Sequence, residues 1–98
     1  MSWTYAFDPL VLPQLHEAIV YYLASRPAET PESFITLADE AFERPLHFPE
    51  ATPPAGRDSR GGVMRRVNVW RFAFLYRVDA AREQLVVERI FHERSAEL

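Results

Sequence analysis

The chain changes its hydrophobic period twice. Residues 3–7 alternate, with Trp3, Tyr5 and Phe7 on one side and Thr4 and Ala6 on the other, which is the two-residue period of a strand. Asp8-Pro9 stops the strand and supplies a capping carboxylate followed by a proline suited to a first helical position. Pro13 predicts an irregular first turn, with the regular helix established by that residue. Leu15, Ala18, Ile19, Tyr22 and Leu23 then fall at helical spacing. The helix is expected to end near Ser25, because Pro27 disfavours helical geometry at Arg26. Thr30-Pro31-Glu32 starts a second helix with a capping hydroxyl, a proline and an acid near the positive helix end. Its stripe is Phe34, Leu37, Ala38, Ala41 and Phe42, its outer face Asp39, Glu40 and Glu43, and Pro45 is expected to end it after Arg44. The short connection between the helices predicts an antiparallel hairpin.

Residues 45–62 have no period and hold four of the eight prolines and all three glycines. Such a stretch reads as a surface loop, with His47 and Phe48 as residues to pack beneath it. The two-residue period then returns, and strands are expected at 63–69, 71–78 and 85–92, with a tight corner near Trp70. In the middle strand Phe72, Phe74, Tyr76 and Val78 share one face, and Arg71, Ala73, Leu75 and Arg77 share the other. The third strand alternates poorly: Leu85, Val87 and Phe91 share parity with Arg89, while Val86, Ile90 and His92 share it with Glu88. Its inner face cannot be assigned from the pattern.

This order predicts one α+β domain over residues 1–98. It has an N-terminal strand, an antiparallel two-helix hairpin and three antiparallel strands, with the helices packed on one face of the sheet. Arg71 and Arg77 then lie on the face that the helices leave uncovered.

Composition narrows the classes. A hydrophobic content of 48% suits a globular chain, and no apolar run approaches the ~18 residues of a membrane span. The first residues lack the basic-then-apolar order of a secretory signal. Cysteine is absent, which removes disulfides and thiolate chemistry. These features fit a cytoplasmic protein. The net charge of −3 is unevenly placed. Residues 1–56 carry eight acids against Arg26 and Arg44, and residues 57–98 carry nine arginines against six acids. Positive charge therefore collects on the strands, all of it arginine, with no lysine anywhere.

Arg65, Arg66, Arg71 and Arg77 present planar forks suited to phosphates or acidic protein surfaces. The alternative is a solvated face with ion pairs to Glu88 or Asp79. His92 is a candidate general acid or base, since imidazole changes charge near neutral pH. His16 sits off its helix stripe, and no two of His16, His47 and His92 have ligand-like spacing, so no metal site is expected. No cofactor is implied either. Tyr21, Tyr22 and Tyr76 read as core or rim aromatics.

Several elements together resemble the RelE/ParE superfamily of bacterial toxins from type II toxin–antitoxin modules. They are Arg65-Arg66, Arg71-Phe72 with Phe74, Tyr76-Arg77-Val78-Asp79 and Ile90-Phe91-His92-Glu93-Arg94, behind a helix hairpin closed by Pro45. The ParE-like, plasmid-stabilisation branch is the nearest in pattern. The resemblance implies a toxin that inhibits bacterial growth, through DNA gyrase in that branch, and is neutralised by a cognate antitoxin as a homodimer or a toxin–antitoxin hetero-oligomer. Arg65, Arg66, Arg71, Arg77 and Arg94 would meet the target or the antitoxin. A RelE-type enzyme would instead cleave messenger RNA on the ribosome, with Arg71, Arg77 and His92 as catalytic candidates. A third reading keeps the fold as a non-toxic binding module. Ser95 stands where the family often has a further arginine, and the absence of lysine and of any tyrosine after His92 departs from the cleaving members.

Overall fold

A computed structural model describes residues 3–94. Strand β1 (Thr4–Phe7) leads into a single 3-10 turn (Pro9–Val11) and helix α1 (Leu12–Ser25). The Asp8 carboxylate accepts from the Leu10 amide, so the irregular turn between Pro9 and Pro13 takes the capped form expected of it. Helix α2 (Pro31–His47) starts with a reciprocal cap: Thr30 and Ser33 each accept from the other's backbone amide. The remaining strands are β2 (Pro54–Arg57), β3 (Val63–Val69), β4 (Phe72–Asp79) and β5 (Gln84–His92).

The five strands run in the order β1-β5-β4-β3-β2. β1 pairs parallel with β5, and the other pairs are antiparallel. Both helices cover one face. Tyr22, Phe34 and Phe42 from the helices meet Phe72, Phe74, Tyr76, Leu85 and Val87 from the sheet, each less than a tenth exposed. Trp3, Tyr5 and Phe7 pack at the margin of this core. The Tyr5 hydroxyl donates to Asp39 of α2 and so ties the edge strand to the helix layer. Burial raises the Tyr5 phenol well above its usual pKa, and the hydrogen bond and charge of Asp39 raise it further.

Three features differ from the pattern-based expectations. Helix α2 continues through Pro45 to His47. A proline so close to the end removes one backbone bond and leaves the final Phe48–Arg44 bond intact. The stretch 45–62 is not a single loop, because it contains β2 and a turn in which Asp58 Oδ1 accepts from the amides of Arg60 and Gly62. Phe48 does not pack beneath it, being 62% exposed. Finally, β5 carries a bulge: Tyr76 opposes Val87 while Leu75 opposes Arg89, so Glu88 is the extra residue. Inserting one residue reverses the alternation. Leu85 and Val87 face the helices before it, and Ile90 and His92 after it.

The second sheet face also buries apolar residues, with Met64, Ala73, Leu75 and Val86 all less than a tenth exposed. Arginine stems suit such a floor, since their methylenes can lie on it while the charge reaches water. No helix among the described residues is long and apolar enough to cross a membrane.

Candidate functional site

The β3–β4 turn has two residues, Trp70 and Arg71, closing on the Val69–Phe72 pair. Trp70 takes a φ of 55°, in the left-handed region. For a bulky L residue this conformation costs on the order of 1–2 kcal/mol. An aromatic cluster holds it there: Tyr22 meets the indole edge-on at 5.1 Å, with Tyr21 at 5.9 Å and Phe72 at 6.2 Å. The Arg71 guanidinium lies over the indole, 4.8 Å from its centroid. Backbone strain of this kind collects at functional sites because the surrounding packing must be arranged to keep it.

His92 ends β5 opposite Phe72. Its ring packs edge-to-face on Tyr21 at 5.0 Å and on Phe72 at 5.2 Å. Nδ1 accepts from the Arg94 amide at 3.1 Å, which places the ring proton on Nε2. That Nε2 is buried and meets no partner among the described residues. His92 is thus wedged into the aromatic cluster, with its remaining nitrogen turned away from water.

Two cavities meet at Tyr21, His92 and Arg94. One, of about 410 Å³, runs between α1 and the end of β5 over Gln14, Glu17 and Phe91. The other, of about 290 Å³, opens onto Arg71 and Glu93. Along the first, β5 extends past its strand partner, because β1 pairs only with Gln84–Val87. Gln14 Oε1 takes up the Ile90 amide at 3.1 Å where the strand pairing stops.

The structure therefore brings together Arg71, His92 and Arg94 and separates them from the other candidates. Arg77 is not beside Arg71. It lies towards the far end of β4, where its Nε donates to Glu88 at 2.6 Å and its Nη1 sits 3.7 Å from Asp79. Arg65 faces the helix side and donates to the Thr52 carbonyl at 2.7 Å. Arg66 donates to Asn68 at 2.9 Å. Arg71 and Arg94 make no ion pair among the described residues. Ser95 lies outside the described residues. No group of three or more histidine, aspartate and glutamate side chains able to hold a metal forms among the described residues.

Trp70, Tyr21 and Gln14 escaped the pattern analysis as site residues. Only Trp70 left a signal, as a large aromatic at a corner too tight for an ordinary loop. In the Tyr21-Tyr22 doublet, Tyr22 enters the core and Tyr21, 43% exposed, walls both cavities.

A family model described as ParE toxin of type II toxin–antitoxin system, parDE, matches residues 5–97. No curated protein matches the chain. Among solved structures, the chain is similar to one in the crystal structure of the toxin–antitoxin complex RelBE2 from Mycobacterium tuberculosis. Sequence identity is 18% and the TM-score 0.60, over 94% of this chain and 99% of that one, so the likeness is one of fold.

Proposed function

This chain belongs to the ParE toxin family of type II toxin–antitoxin systems and is the toxin component of such a module, and on that premise we propose that it arrests growth by binding DNA gyrase through the Trp70–Arg71 end of its sheet. The observation that carries this reading is the exposed Arg71, seated on a strained, aromatic-backed turn beside Arg94. Tryptophan, tyrosine and arginine are the side chains that dominate protein–protein binding energy. The placement of His92 supports binding over RNA cleavage. A general acid or base must reach the group with which it exchanges a proton, and in His92 Nδ1 is occupied by the Arg94 amide while the protonated Nε2 is buried among aromatic rings.

An antitoxin is the partner of such a toxin. Its neutralising segment lies, on this reading, along the cavity between α1 and the unpaired half of β5, with acidic residues meeting Arg71 and Arg94. The free toxin acts in the cytoplasm, where gyrase is found. The test is induced expression without antitoxin, followed by RNA sequencing and a DNA-damage reporter. Growth arrest with the damage response and intact transcripts is expected. Arrest with cleaved messages and no damage response would replace gyrase with the ribosome, and undisturbed growth would leave a binding module without toxicity.

A further inference from the structure

The outer side of α1 carries polar groups that binding a target through Arg71 does not use. Gln14, Glu17 and Tyr21 follow at i, i+3 and i+7, so they lie in one row along the helix. All three line the cavity of about 410 Å³ between α1 and the end of β5. The row spans about 10 Å of helix. It ends at Tyr21, where the adjoining cavity of about 290 Å³ holds Arg71 and Arg94.

The fold sets the role of each group in the row. Gln14 Oε1 is taken by the Ile90 amide at 3.1 Å, which leaves its side-chain amide to the cavity as a donor only. Glu17 makes no ion pair among the described residues, and its carboxylate brings two acceptor oxygens side by side. Tyr21 adds an exposed ring, and Phe91 lines the same cavity from the strand side. At the far end, two guanidiniums stand against the single carboxylate of Glu93. His92 sits where the two cavities meet, and its Nε2 is the one buried side-chain nitrogen or oxygen without a partner among the described residues. The order along the groove is donor, paired acceptors, aromatic walls, cations.

That order complements a guanine nucleotide. Guanine sets an acceptor, O6, beside two adjacent donors, the ring N–H and the exocyclic amine. No other common base places two donors side by side on its ring edge. We propose that this groove binds a free guanine nucleotide. O6 takes the Gln14 amide, the two donors meet the two oxygens of Glu17, and the ring lies against Tyr21 and Phe91. The phosphate reaches Arg71 and Arg94. These two cations suit one terminal phosphate. Arg65, Arg66 and Arg77 are turned to Thr52, Asn68 and Glu88, so they do not extend the site along a nucleic-acid strand. The antitoxin segment placed in this groove above would then exclude the nucleotide. That exclusion rests on the antitoxin reading; nucleotide binding does not.

The experiment is isothermal titration calorimetry on the purified full chain, with thermal unfolding of each variant as a folding control. The titrants are guanosine, inosine and adenosine monophosphate, inorganic phosphate, and a tetranucleotide containing one guanine. Guanosine monophosphate is expected to bind once per chain. Inosine monophosphate, which lacks the exocyclic amine, is expected to bind roughly tenfold more weakly, and adenosine monophosphate no better than that. Glu17→Gln removes the preference for guanosine over inosine monophosphate, and Arg94→Gln weakens both alike. The proposal is overturned by a wild type that binds none of the nucleotides, or that binds guanosine and adenosine monophosphate equally. A guanine preference that survives Glu17→Gln overturns it too, as does a tetranucleotide that binds more tightly than the mononucleotide, which would make the groove a nucleic-acid surface. Guanosine monophosphate that binds the toxin–antitoxin complex as tightly as the free chain supports the nucleotide site and removes the antitoxin from this groove.

Discussion

At one end of β4, Arg77 is gripped by Glu88 and Asp79 with only 17% of its side chain exposed. At the other, Arg71 lies over Trp70 on an exposed turn and makes no ion pair among the described residues. The two share parity along one run, separated by about 20 Å of strand. One cation is used up inside the fold, closing the bulge at Glu88; the other has no carboxylate partner among the described residues. Counting arginines does not separate these roles. What separates them is whether a carboxylate from the same sheet is already in place.

Arg77→Ala leaves the Glu88 carboxylate, 14% exposed, without its partner, which costs roughly 2 kcal/mol. For a domain of this size the melting temperature falls by roughly 10 °C. Calorimetry checks this, and toxicity should drop only as far as the folded fraction does. Trp70→Gly is expected to cost about 1–2 kcal/mol, because the lost aromatic contacts outweigh the relief of a left-handed backbone. Glu83 is the matching control: its φ of 51° lies in the β4–β5 turn, away from the aromatic cluster. Glu83→Gly is expected to stabilise by about 0.5 kcal/mol, measured by urea titration.

Tyr5 provides a pH test of the structural side. Its folded pKa is raised, so the folded state holds the phenol proton more tightly than the unfolded state. The contribution of the Tyr5–Asp39 bond is fully present below the ordinary tyrosine value of about 10 and is lost as pH rises above it. Melting temperature should therefore decline above that pH, and Tyr5→Phe should decline less. The smallest stability effect belongs to Arg71→Ala, within about 0.5 kcal/mol of wild type.

Much of the fold was legible because local signals agreed. The Asp8-Pro9 and Thr30-Pro31 starts, the two helical stripes and the three late strands all lie close to where the pattern puts them. What stayed hidden depended on pairing. One inserted residue at Glu88 reverses the alternation of β5, so no single assignment of faces could fit both halves. β2 is a four-residue edge strand containing Pro54 and Gly56, too short and too poor in strand formers to declare itself. Pro45 resembled a terminator because the cost of a proline depends on how much helix remains beyond it. At the candidate site, Arg71, Arg94 and His92 were visible as residue types. Their meeting at Tyr21 depends on how α1 lies over the end of β5, which no local signal contains.

We propose that the Trp70–Arg71 end acts on the target while Arg77 serves the fold. Growth after induced expression of Arg71→Ala without antitoxin, in cells where the wild type arrests, tests it most directly when melting of the purified variant is measured alongside. A variant that melts like the wild type and permits growth is the predicted result. One that melts like the wild type and arrests growth just as fully would contradict the claim.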